Sequence, residues 1–279
     1  MINTVYRLVA PRRFEIAFED IDLFGDNAIV RPTNLFICNA DMRYYLGTRD
    51  AKVLAEKLPM ALIHEGVGVV MRDPSGKFAP GDRVVMVPNC PTETDDYIGE
   101  NYLRSSKFCG SSMDGFLQEY VEISPRRLVK LPQDINMNVA AFTEIVSVAV
   151  HAISRFDKIA HARRDAIGVW GDGNLAYIVS LFLKKTFPDS KVYVFGLNDD
   201  KLADFTFADG AYKTTEVPEG FTMDHAFECV GGNGSPIAIE QIIGLIKPEA
   251  TLSILGVSEY PVPINTRMIL EKGLRVFGS

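Results

Sequence analysis

The sequence predicts an α/β chain in two parts, a β-rich region over residues 1–152 and a doubly wound α/β region over residues 153–279. Three observations predict it. Short β-rich runs separated by turns fill the first part. Strand, glycine turn, helix and strand alternate in the second. An apolar helical stretch, AFTEIVSVAVHAISRF, joins the two. In the first part the candidate strands are RRFEIAFEDI, NAIVRPTNLFIC, GDRVVMVP, GFLQEYVEI and RRLVKLP, with LPMALIHEGVGVV read as a buried strand entered by a turn. In the second, DAIGVW is an apolar strand, GDGNLAYIVSLFLKKTF a turn and helix, and KVYVFG the next strand. DHAFECVGG, ATLSILGV and LRVFGS read as further strands of the same sheet. Alternation of this kind implies a parallel sheet covered on both faces.

Composition narrows the partners. Hydrophobic residues make up 47% and charged residues 23%, an ordinary globular balance, and the net charge is −7. That charge argues against nucleic acid or an anionic membrane as the main partner. No stretch approaches the roughly 18 apolar residues of a membrane span, and the first residues carry no signal-like run. A cytoplasmic protein is expected. The four cysteines, Cys38, Cys90, Cys109 and Cys229, are scattered and form no disulfide framework, so those near histidine or carboxylate are metal or catalytic candidates.

GVWGDGNLAYI matches the G-x-G-x-x-G/A pattern at Gly171, Gly173 and Ala176, between a strand and a helix. Gly171 allows the tight turn, Gly173 lets backbone approach a pyrophosphate, and Ala176 lets the helix pack close to the sheet. The free N–H groups of Asp172, Asn174 and Leu175 then face the phosphates. The plainer reading is a simple glycine turn. About twenty residues on, where NAD-selective sites place an acid, the chain has Gly196. This favours NADPH, with Lys201 as the candidate 2′-phosphate partner, although it could equally be a solvated helix lysine. Asp199 and Asp200 lie close by, and NAD returns to contention if they point inward. Val230 and Gly256, at the ends of later strands, complete the expected cofactor-binding set.

Cys38, His64, Glu65 and Glu144 stand in otherwise apolar stretches. Singly, each has a bland reading: a small buried thiol, a satisfied core histidine, a stray charge. Together they offer thiolate, imidazole and carboxylate, a donor set suited to a catalytic zinc with an open position.

These residues, with Asp41 three after the cysteine and GDRV at 81–84, resemble the zinc-dependent medium-chain dehydrogenase/reductase family over the entire chain. The resemblance implies a GroES-like catalytic domain followed by a Rossmann domain. It also implies a zinc held by Cys38, His64, Glu65 and Glu144, and Asp41 accepting the other ring N–H of His64. Glu144 stands in the third-ligand place of the polyol-dehydrogenase branch. Glu65 is either a ligand at rest or a carboxylate that moves onto the metal. Ala40 replaces the usual proton-relay hydroxyl, which leaves Tyr44, or a water held by Glu65 or Glu144, as proton source. Cys90 and Cys109 are too few for a structural zinc, so one zinc is expected. The family's C-terminal return segment is not found in this sequence.

MINTVYRLVAPRRFE, VVMVPNCPTETDD, VWGDGNLAYI, DHAFECVGG and LGVSEYPVPINTRMILEKGL are more closely similar to the NADPH-dependent ribulose-5-phosphate reductases. That group makes D-ribitol 5-phosphate from D-ribulose 5-phosphate for CDP-ribitol, used in wall teichoic acid or capsule. It implies substrate-phosphate contacts from Arg43, Arg49 or Arg267, a homodimer formed through VPINTRMILEKGLRVFGS, and a ribitol-5-phosphate cytidylyltransferase as pathway partner. The alternatives are an NAD-dependent zinc polyol dehydrogenase and a non-catalytic nucleotide-binding protein.

Overall fold

A computed structural model describes residues Met1–Ser279. The chain divides into two compact units, Met1–Glu144 and Ile145–Ser279. The division falls in the first turn of the connecting helix rather than past its middle, where residue 152 lies.

The first unit is antiparallel. Strands β1 (Ile2–Ala10) and β2 (Arg13–Asp20) form a hairpin, extended by the short β4 (Met60–Ala61). A five-stranded sheet has the order β10 (Leu128–Lys130), β6 (Arg83–Met86), β5 (Glu65–Arg72), β3 (Ala28–Phe36), β9 (Val121–Ile123). Helices α1 (Asn39–Leu46) and α2 (Ala51–Lys57) follow β3 and lead back to β4. A two-stranded ribbon pairs β7 (Asn89–Cys90) with β8 (Lys107–Phe108), and α3 (Met137–Ala140) precedes the connecting helix α4 (Thr143–Ile159). Inward residues of the five-stranded sheet, Val30, Val70, Val84 and Met86, pack with Phe116 to make its core. β1 was not among the expected strands. Its burial is irregular because Arg7 turns to Asp114 and Glu19, so no clean alternation marks it.

The second unit is a parallel six-stranded sheet in the order β13 (Gly210–Lys213), β12 (Lys191–Gly196), β11 (Ala166–Trp170), β14 (Met223–Glu228), β15 (Ile246–Ile254), β16 (Arg275–Gly278). Helix α5 (Asn174–Thr186) and α4 cover one face through Ala149, Ile153, Phe156, Val179 and Leu183. Helix α7 (Ser235–Leu245) covers the other through Ala238, Ile239, Ile242 and Ile243. Two shorter helices, α6 (Asp199–Leu202) and α8 (Thr266–Lys272), complete the connections. Every residue of β14 is buried, as a strand covered on both faces requires. The chain winds outward from β11 in one direction and from β14 in the other, so the crevice beyond their carboxyl ends is where a doubly wound sheet binds ligand. No helix is long and apolar enough to cross a membrane.

Phe156 is fully buried and touches the rings of Phe187, His225 and Phe227. Phe156→Ala is expected to cost about 3–5 kcal/mol, read as a lower urea midpoint with unchanged slope.

Candidate active site

The metal-type group is assembled by two loops that one carboxylate holds. Cys38 caps α1, and its Sγ accepts the Ala40 N–H at 3.2 Å while Asp41 Oδ2 accepts the Cys38 N–H at 3.0 Å. This is a reciprocal capping box with a thiol in place of the usual hydroxyl. Asp41 Oδ1 accepts the Ile63 N–H at 2.9 Å, so the same side chain also holds the segment that presents His64.

Ile63 itself has φ 73°, the left-handed region that a β-branched residue avoids. Its surroundings over-determine it. Phe116 N–H donates to the Ile63 carbonyl at 2.7 Å, Leu117 N–H to Leu62 at 3.1 Å, and Gly115 N–H to Ala61 at 2.8 Å. A Cβ on Gly115 would stand 2.2 Å from the Ile63 oxygen, so only glycine lets these backbones approach. The strain, of order 1–3 kcal/mol, aims the next side chain.

His64 Nε2 is 3.4 Å from Cys38 Sγ and 3.9 Å from Glu65 Oε1. The donor atoms of Cys38, His64 and Glu65 all lie within 4.8 Å of one another. His64 Nδ1 is 3.9 Å from Asp41 Oδ1, which corrects the expected hydrogen bond: the distance is too long for one, and Asp41 spends its oxygens on backbone N–H groups instead. Phe108 packs on the other side of the imidazole, its centroid 5.3 Å away.

The electrostatics leave a positive charge wanting. Burial, then the Asp41 charge, pushes the Cys38 thiol up to about 12. Burial, then the Glu144 and Asp41 charges, pushes Glu65 up to about 8. Burial and Asp41 push Glu144 up to about 7, and burial lowers His64. Glu65 is buried and its Oε2 has no hydrogen-bond partner. A thiol, an imidazole and an orphaned carboxylate oxygen converging in a dry site fit a dication of borderline softness. Glu144 acts on Glu65 through its charge but does not join the converging group.

In the second unit, Gly171 has φ 129°, and a Cβ there would stand 3.1 Å from the Cys229 carbonyl oxygen. Nothing lies within 4 Å of the Cβ position on Gly173, which is exposed and caps α5 without a side-chain bond. Ala176 is fully buried beneath that turn. The α5 N-terminus thus offers unshared N–H groups and open backbone, the features that cradle a phosphate. Gly196 is explained differently from the sequence argument: its missing Cβ makes room for Asp172, whose Cβ would stand 2.7 Å away. Asp172 Oδ2 accepts the N–H groups of Leu197 and Asn198 at 2.8 and 2.9 Å and so shapes the loop after β12. Asp199 pairs with Lys213 at 2.5 Å, and Lys201 Nζ lies 4.0 Å from Asp172 Oδ1.

Residues 25–133 match the alcohol dehydrogenase GroES-like domain family. The ribulose-5-phosphate reductase of Bacillus spizizenii is 57% identical over 279 residues, all of this chain and 82% of the relative. The chain belongs to the ribulose-5-phosphate reductase family. Ribulose-5-phosphate reductase 1 of Staphylococcus aureus is 54% identical with the same coverage. The crystal structure of S. aureus TarJ in complex with NADPH aligns with a TM-score of 0.86 at 48% identity, covering 100% of this chain and 80% of that one.

Within this reductase family frame, the residues expected at the metal divide. Cys38, His64 and Glu65 converge, Asp41 braces their loops, and Glu144 stands apart. Tyr44 is buried in an apolar cluster with Leu8, Met60 and Leu62, and the Arg49 guanidinium lies 4.7 Å above its ring. Arg43 is lowered by burial and by the like charge of Arg49, so these two guanidiniums share a neighbourhood. Arg267 is exposed and bonded to Glu271 at 2.7 Å. Cys90 and Cys109 lie on and beside the small ribbon, where a hydrogen bond from Cys109 holds the Cys90 thiol down to about 7. Sequence reasoning missed Ile63 and Gly115. A glycine at 115 was visible, but the contact that requires it is long-range.

Glu65 titrates at 4.5 when free and about 8 when folded. The folded chain therefore holds its proton more tightly, and that stabilisation is complete below the lower value and lost as pH rises through the upper one. In chelator-treated protein, Glu65→Gln is expected to gain several degrees of melting temperature over wild type at about pH 8 and little at about pH 5. An equal difference at both pH values would show that Glu65 is not held neutral.

Proposed function

We propose that this chain reduces D-ribulose 5-phosphate to D-ribitol 5-phosphate with NADPH, using one zinc ion held by Cys38, His64 and Glu65. The observation that carries the reading is the converging thiol, imidazole and orphaned carboxylate in a chain of the ribulose-5-phosphate reductase family. When bound, the zinc supplies a Lewis acid for the substrate carbonyl and NADPH supplies the hydride.

The chain's own residues do the rest. Cys38 binds as thiolate and His64 as neutral imidazole through Nε2, with Nδ1 turned towards Asp41. Phe108 and the buried walls around Glu65 keep water from the donor atoms. Glu144 holds a second carboxyl near Glu65, ready to take or return a proton near neutral pH because burial raises it to about 7. Gly171, Gly173 and the α5 N-terminus hold the pyrophosphate, and Lys201 and the loop after β12 meet the 2′-phosphate side. Arg43 and Arg49 hold the substrate phosphate. Two cations placed where each disfavours the other's charge suit a shared anion. The same reading makes the protein a cytoplasmic homodimer whose product passes to a cytidylyltransferase.

NADPH oxidation followed at 340 nm, with ribulose 5-phosphate against ribulose and NADPH against NADH, tests the reaction. Faster turnover of ribulose with NADH would replace this reading with a polyol dehydrogenase. Cys38→Ser is expected to lose bound zinc, measured by elemental analysis, and turnover, while NADPH still quenches tryptophan fluorescence. Arg43→Ala and Arg49→Ala are each expected to raise the KM for ribulose 5-phosphate about ten-fold or more and to leave the KM for NADPH unchanged.

A further inference from the structure

We infer that Glu228 is a positioning residue for the dinucleotide, acting as a buried carboxylate clamp that ties the loop after β14 to the loop after β15. The inference rests on the NADPH reading given above. Glu228 is the last residue of β14 and is fully buried. A buried carboxylate is costly unless its lone pairs are met. Here Oε1 accepts the N–H groups of Val230 and Gly231 at 3.0 and 2.8 Å, and Oε2 accepts that of Gly256 at 3.1 Å. The Glu228 carbonyl also accepts from Leu255 and Gly256. Its side-chain oxygens are met by backbone N–H groups.

The clamped backbone permits nothing larger. Gly231 has φ 64°, and a Cβ on Gly256 would stand 2.2 Å from Gly231 N and 2.6 Å from Glu228 Oε2. Gly232 N–H donates to the Val257 carbonyl at 2.9 Å, closing the junction from outside. The junction also reaches the phosphate turn: Cys229 N–H donates to the Trp170 carbonyl at 2.8 Å, and the Cys229 carbonyl packs against Gly171. Three loops at the carboxyl edge of the sheet, after β11, β14 and β15, are therefore set by one segment centred on Glu228. What they expose is Val230, 40% accessible, and Val257, 69% accessible, apolar side chains held out at the edge where a dinucleotide lies. Burying a carboxylate to fix two exposed valines makes physical sense where their placement matters to a ligand.

Glu228→Gln keeps the shape but turns an NH₂ towards one of the backbone N–H groups. Fluorescence titration is expected to show NADPH binding weakened about ten-fold, with the KM for NADPH raised alike and kcat and the KM for ribulose 5-phosphate within about two-fold. Asp224→Asn is the matched control. Asp224 is equally buried on the same strand, at its other end, where it accepts from Ala166 N–H and pairs with Arg163 and Lys247. It is expected to lower the melting temperature without changing NADPH affinity. If Glu228→Gln does not fold, Gly256→Ala splits the same junction with the carboxylate intact and is expected to weaken NADPH similarly. Unchanged NADPH affinity in the folded variant, or an equal loss in Asp224→Asn, overturns the clamp while leaving the cofactor reading in place. Wild-type protein that binds no NADPH overturns both.

Discussion

The Asp41 carboxylate is the contact on which the metal group depends. Its two oxygens accept backbone N–H groups from Cys38 and Ile63, the residues that present the thiol and precede the imidazole. Such bonds to a charged acceptor are worth about 1.5–3 kcal/mol each. The left-handed Ile63 costs about 1–3 kcal/mol. One of the two bonds thus offsets the strain, and the hydrogen bonds from residues 115–117 make the conformation the only one available. The histidine is aimed by the backbone, and its Nε2 meets Cys38 Sγ at 3.4 Å.

The same device recurs at the other centre. Asp172 accepts two backbone N–H groups beyond β12, and Glu228 accepts three beyond β14 and β15. In each case a carboxylate accepts several backbone N–H groups and so fixes the loop backbone around it. The open N–H groups of the α5 N-terminus, and Lys201 beside Asp172, then remain as the local attractions for phosphate.

Much of this was legible before the fold was seen, and the reason is locality. The glycine turn into α5 is written in adjacent residues, and the strands of the second unit are apolar runs that a doubly covered sheet demands. Cys38, His64, Glu65 and Glu144 stand out by residue type in apolar surroundings, and the fold brings the donor atoms of the first three within 4.8 Å of one another. What was not legible depends on distance. β1 hides because Arg7 answers to Asp114 far along the chain. The short β13 carries too few residues to show a period, and α7 is apolar on nearly every side, so neither stood out as an element. Gly196 stands where NAD-selective sites place an acid, but its missing side chain also makes room for Asp172, a packing relation no local pattern records. Asp41 was assigned to the imidazole; its geometry assigns it to the backbone.

Charge counting bears on why two glutamates lie near one metal group. A dication held by the Cys38 thiolate and one glutamate is neutral overall. A second ionised glutamate beside Asp41 would leave buried negative charge without a partner, which the raised values of Glu65 and Glu144 already resist. One of the pair is therefore favoured as ionised and the other as protonated. Burial raises both carboxyls, Glu65 to about 8 and Glu144 to about 7, so the metal-free pair resists carrying two charges. Under the proposed reaction, the Glu144 carboxyl, raised to about 7, would supply a titratable group near neutral pH where the chain has Ala40 in place of a hydroxyl.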